Sequence, residues 1–211
     1  MIASAKNHRT GKPNYKPEMK IIEKKKNDAV DNLRTRFFEK LKTLYWAEKA
    51  MIKAIPVMKR NAKSEELVEA LEFQRMVGGE QILRLEAIFT LFNSVPETRS
   101  NDVIQSLIKE TEKVLHSNKG MVRDAEAIAL IQQIQHLEIA LYGTLCSFAR
   151  ILGEEIVLLL LEDSLSEEKQ ADKNLSIVAE VFVNPVAAYG YPIRVAANGT
   201  EDLFLINLNS D

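Results

Sequence analysis

The 211 residues are 46% hydrophobic and 27% charged, with only eight Gly and six Pro. That profile suits one soluble helical domain and excludes a fibrous or wholly disordered chain. The formal net charge is −2, but residues 1–28 carry eight basic against three acidic residues, a local +5 that leaves −7 for the rest. The single cysteine, Cys146, excludes an intramolecular disulfide and sits in an apolar stretch, where a thiol behaves as a small hydrophobe. No N-terminal apolar run resembles a signal peptide, and the run at 156–161 is too short to cross a bilayer, so a cytoplasmic location away from membranes is expected.

Residues 1–30 mix Lys, Asn, Pro and Gly without periodicity and read as a flexible basic arm. The first long helix is expected over 31–60, where Leu33, Phe37, Leu41, Leu44, Ile52 and Ile55 recur at spacings of three and four, with Pro56 kinking or ending it. Ser64 is an N-cap candidate for a second helix, whose stripe runs Leu67, Leu71, Gln74, Gly78, Gln81, Leu85 and Ile88. A loop at 93–101 precedes a shorter amphipathic helix that Asp102 is expected to cap. A third long helix covers about 122–152, and Gly153 separates it from a fourth that reaches Phe182. Two helical hairpins joined by a long crossover form a ferritin-like four-helix bundle, here over 31–182. Beyond it, 183–211 is an extension in which 191–208 reads as a β-hairpin turning at Asn198-Gly199. The fold class is all-α with that short hairpin appended.

The chemistry lies where the apolar stripes are interrupted. Glu48 falls between Tyr45 and Ile52, Glu138 between Ile131 and Tyr142, and Glu168 and Asp172 share one face of the last helix. Four inward carboxylates repel one another and resist desolvation unless they are protonated, paired or bound to a cation. A divalent metal answers that problem, and so does pairing with inward-reaching Lys or Arg. Two-metal sites in such bundles use a Glu from each of two helices and a Glu-x-x-His from each of the others. Here the second helix offers only Gln74, Gly78 and Gln81, and the third offers Gln135 where an acid would complete a pair with Glu138. His136 lies about 100° from the inward direction, as a surface histidine would.

The segments LYWAEKA (44–50), QHLEIALYGTL (135–145) and LSEEKQAD (165–172) resemble the signature stretches of the YciF/YciE-type ferritin-like family of bacterial stress-associated proteins. The resemblance covers about 31–182 and implies a ferritin-like bundle, a homodimer and a buried two-iron-type site. It matches Glu48, Glu138, Glu168 and Asp172 to metal-ligating carboxylates. It also shows Gln74, Gly78 and Gln81 replacing a histidine-containing stretch, Met76 and Val77 where acids are common, and Gln135 in the place of Glu.

Three functional readings follow. The missing ligands favour a non-catalytic protein acting through its fold, its dimer surface or a partner. The four retained carboxylates favour a protein that binds one or two iron or other divalent ions and handles iron or peroxide, with Tyr45 and Tyr142 nearby as redox or hydrogen-bonding groups. The basic arm suggests nucleic-acid binding, which lacks the aromatic or Arg interleaving that recognition uses. The expected outcome is a degenerate site with Gln81 and Gln135 in the places of lost ligands, holding at most one weakly bound ion and activating no oxygen.

Overall fold

The computed structural model describes residues 17–117 and 120–190, which are helical throughout apart from short connections and contain no strand. The helices are α1 (Pro17–Asn61), α2 (Glu65–Leu91), α3 (Asp102–Ser117), α4 (Met121–Leu152), α5 (Glu155–Ile177), a π-helical turn (Val178–Val183) and α6 (Asn184–Tyr189). The hairpin expected over 191–208 lies outside the described residues. No helix among them is long and apolar enough to cross a membrane.

Several boundaries depart from expectation, each for a local reason. α1 starts at Pro17, well before 31, so the stretch read as the end of a flexible arm is helical. Its start fits Pro at the first helical position, where the missing N–H is no loss. Residues 17–30 lack an apolar stripe but are rich in Lys, Glu, Met and Ile, so propensity carries a helix that periodicity does not reveal. Pro56 does not end α1, which continues to Asn61. The proline is solvent-exposed, on the side where water can reach the carbonyl that loses its partner. The cap of α3 is Asn101 rather than Asp102: its Oδ1 accepts from the N–H groups of Val103 and Ile104 at 3.0 and 3.2 Å. At the far end, Pro185 sits in the first turn of α6, and the helical path carries on until Gly190 takes a left-handed φ of 85°.

The cross-helix contacts fix the topology. Tyr45 meets Glu86 and Lys59 meets Glu72, so α1 and α2 are antiparallel. Arg34 pairs with Glu154 at 2.9 Å and Glu48 meets Tyr142, which runs α1 antiparallel to α4. Arg84 meets Glu167 between α2 and α5, and Gln132 meets Asp172 between α4 and α5. The four long helices therefore close a ring of antiparallel neighbours, with α1 diagonal to α5 and α2 diagonal to α4. α3 crosses outside this ring against α1 and α4.

The ring encloses two apolar clusters. One holds Phe37, Leu41, Leu44, Leu85, Phe89, Leu145 and Leu161; the other holds Met51, Ile55, Leu67, Leu71, Ile131, Ile134 and Leu175. On every helix the residues between the two clusters are polar or lack a side chain. These are Glu48 on α1, Gln74, Gly78 and Gln81 on α2, Gln135 and Glu138 on α4, and Ser164 and Glu168 on α5.

The other buried acid is structural. Asp124, in the first turn of α4, is fully buried, and its Oδ2 accepts from the backbone N–H groups of Lys63 and Ser64, both at 2.7 Å. Ser64 Oγ in turn accepts from Leu67 N–H and caps α2. One carboxylate thus fastens the α1–α2 turn to the start of α4. Asp124→Ala would strand two buried donors, and the expected cost is about 2–4 kcal/mol, or a melting temperature lower by roughly 5–10 °C. Thermal denaturation followed by circular dichroism checks this; an unchanged midpoint would mean that the turn is held by other contacts.

A buried carboxylate layer as the candidate functional site

Glu48, Glu138 and Glu168 each lie on the inner face of a different helix and are almost wholly buried. They face one another closely enough for Glu138 to feel the charge of Glu48 and Glu168, and for Glu48 to feel that of Glu168. Among the described residues, none of the three makes an ion pair with Lys, Arg or His. The nearest arginine, Arg84, forks instead onto Glu167 at 2.6 and 2.7 Å, on the outer side of α5.

Their hydrogen bonding is incomplete. Tyr142 donates its hydroxyl to Glu48 Oε1 at 2.8 Å. Glu48 Oε2 lies against Gly78, where a Cβ would sit 3.6 Å from it, in ordinary contact. Gln81 hydrogen-bonds Glu168 and points its amide nitrogen at the Ser164 carbonyl, 3.5 Å away. Glu138 Oε1, Glu168 Oε2 and both polar atoms of Gln135 have no partner.

Asp172, the fourth expected carboxylate, is turned aside. Its Oδ1 accepts from Gln132 Nε2 at 3.0 Å and lies 3.5 Å from His136 Nε2, and its side chain keeps 19% of its exposure. His136 is exposed, as its angle on the helix requires. Gln132 and Ser164 belong to the site or its border but escaped the sequence reading, whereas Gln74 is buried at the inward position expected of it. Gln132 could have been found from its position one turn before His136 on the same face. Met76 and Val77, where the resemblance expects acids, do not serve the interior: Met76 is 59% exposed, and the inward positions of α2 are Gln74, Gly78 and Gln81.

The electrostatics follow from this packing. Burial, reinforced by the neighbouring glutamates, pushes Glu48 and Glu138 well above the ordinary carboxyl range. Burial raises Glu168 to about 7, opposed by the Gln81 hydrogen bond and aided by Glu167 and Asp172. Burial also drives the Tyr142 hydroxyl upward, with the charge on Glu48 adding to it. Proton retention is therefore how the layer is relieved near neutral pH. The unpartnered oxygens are of the kind a hard cation accepts. Yet among the described residues no three His, Cys, Asp or Glu side chains are placed to hold a metal ion, so the arrangement does not fit a two-iron centre.

The profile of a family described as a domain of unknown function (DUF892) matches residues 32–188. The chain belongs to this family. Protein YciF of Escherichia coli (strain K12) is 34% identical over 153 residues, which is 72% of this chain and 92% of that protein. The solved structures of the E. coli stress protein YciF and of YcfI, a candidate structural protein of Rhodopseudomonas palustris, both superpose with a TM-score of 0.67 at 32% identity. In each case 70% of this chain and 94% of the other are covered. The YciF-type segments at 44–50, 135–145 and 165–172 fall within this match and supply Glu48, Glu138 and Glu168 to the buried layer.

The raised carboxyls set the sign of the pH response. The folded chain keeps these protons above the ordinary value of 4.5, so it binds more protons than the unfolded chain, and stability falls as pH rises. For Glu168 the loss runs from about 4.5 to about 7 and is then complete; for Glu48 and Glu138 it extends higher. The charged groups around Glu168 are Glu48 and Glu138 across the bundle and Glu167 and Asp172 on its own helix; α2 contributes the neutral Gln81 and Arg84, whose charge is taken by Glu167. Chelator-treated protein should melt higher at pH 5.5 than at pH 7.5, by on the order of 5 °C, with a shallower slope in Glu168→Gln. A midpoint that rises with pH in both proteins would contradict proton retention in the layer.

Proposed function

We propose that the chain is a ferritin-like, stress-associated cytoplasmic protein with a degenerate two-metal centre, acting through its fold and its surface, as a homodimer or on a partner, rather than by catalysis. The observation that carries this reading is the carboxylate layer itself. Three acids are buried together with no Lys, Arg or His paired to them among the described residues, while α2 presents Gly78 and Gln81 at their level. Losing the acid on α2 lowers both the ligand number and the negative charge that would hold a second cation. The description of YciF as a stress protein supports the physiological setting. Exposed Met76 and Leu83 on the outer side of α2 offer apolar surface for association.

A second reading, a single bound divalent ion, is favoured by the free oxygens of Glu138 and Glu168. Metal analysis of protein grown with iron and purified without chelator separates the two, alongside ferroxidase assay and sedimentation. Less than one ion per chain, no turnover and a dimeric mass are expected. Two irons per chain with turnover would overturn the proposal, and one tightly held ion would establish the second reading. Gln81→Glu combined with Gln135→Glu places acids on the inward faces of α2 and α4 and should raise metal uptake, whereas an acid at the exposed Met76 should not.

A further inference from the structure

A cavity of about 670 Å³ runs as a groove between α1 and α3, on the outer side of the bundle. Its size is that of a small-molecule site. Trp46, Ala50, Lys53 and Val57 line it from α1. At about 100° per residue they stand some 140–200° around the helix from Glu48, so the groove faces away from the carboxylate layer. Ala50 and Ala54 are too short to fill the angle between the two helices, and Val57 and Ile108 keep its walls apolar.

The groove has unlike ends. Arg99 N–H donates to the Lys42 carbonyl at 3.1 Å, and Asp124 of α4 holds Lys63 and Ser64, so α3 runs in the same direction as α1. Trp46 therefore stands toward the loop that precedes α3. Lys53 follows two turns later on the same face, about 10 Å along the axis. Lys109 reaches the groove from α3. Neither Lys53 nor Lys109 has an ion pair or hydrogen bond among the described residues, whereas the Lys49 ammonium is turned to Tyr45, 4.8 Å from its ring centre. Glu112 is the one acid in the lining against three lysines, a local charge of +2. Positive charge over apolar walls attracts an anion more strongly than it would in open water.

We propose that the α1/α3 groove binds an organic monocarboxylate with a flat apolar body, its ring against Trp46 and its carboxylate between Lys53 and Lys109. The site is separate from any metal held by the glutamates, and its test does not depend on metal content.

Phenylbutyrate is the probe, with phenylbutanamide, phenylbutylamine and acetate as controls, titrated into the full chain by calorimetry and NMR. Trp46 is the only tryptophan, so its single indole N–H resonance reports on the groove. Phenylbutyrate should bind saturably and shift that resonance, with the amide and acetate about fivefold weaker or more, the factor expected when a partly exposed ion pair is lost. Lys53→Met and Lys109→Met should each weaken phenylbutyrate by about threefold or more while leaving phenylbutanamide unchanged, a selective effect that loss of folding would not produce. Lys53→Glu combined with Lys109→Glu should turn the preference toward phenylbutylamine. Ala50→Leu, which fills the groove, should abolish binding of every probe with an unchanged circular dichroism spectrum. Equal binding of phenylbutyrate and its amide, phenylbutyrate affinity unchanged in both methionine variants, or absence of saturable phenylbutyrate binding would each overturn the proposal.

Discussion

The interior of this bundle is organised around the desolvation of three carboxyl groups at mid-height. A buried carboxylate without a counter-charge is costly, and burial accordingly pushes Glu48, Glu138 and Glu168 toward the protonated form, Glu168 to about 7 and the other two well above the ordinary carboxyl range. The two apolar clusters lie on either side of this layer, and the partly buried Leu141 of α4 touches both. Tyr142 serves both, since its ring packs in one cluster while its hydroxyl reaches Glu48. Gly78 lies against the Glu48 carboxyl and offers it no polar partner. Stability therefore rests on apolar packing above and below a belt that opposes it.

Positive charge is present nearby but spent elsewhere. Arg84 is one turn from Gln81, yet its fork is taken by Glu167, adjacent in sequence to Glu168 but facing outward. His136 and Gln132 hold Asp172 at the edge of the α4/α5 seam. With Asp172 so occupied, the interior keeps three acids rather than four, and the negative charge that could attract a cation is reduced again. Substitution on α2 and reorientation on α5 act in the same direction.

The apolar stripes made the long helices legible because a helix buried on one side must repeat every three to four residues, and the glutamates stood out as interruptions of that repeat. The same reasoning could not see residues 17–30, whose sequence shows no apolar stripe and whose helix is supported by propensity. Pro56 does not end α1, because the effect of proline depends on whether its missing hydrogen bond falls on an exposed turn, which the local sequence does not state. Asp172 was misplaced for a geometric reason. Four residues advance a helix by about 400°, so a residue one turn from an axial group is rotated some 40° away from the axis. That rotation was enough for Gln132 and His136 to capture it. The metal-ligand set inferred from family likeness concerned residue types; the unfilled bonds of Gln135 depend on neighbours contributed by other helices and could not be read from its own segment.

The crossover makes the walls of the bundle unequal. α3 lies against α1 and α4, and its buried side chains Ile104, Val114 and Leu115 add a second apolar layer there. Among the described residues no comparable helix covers the seam between α2 and α5. There the wall is a single layer, held at mid-height by Arg84 with Glu167 and followed by the π-helical turn. The two sides therefore rest on different forces: apolar burial under α3, and at the α2/α5 seam the packing of two helices with one partly exposed ion pair, which contributes little by itself.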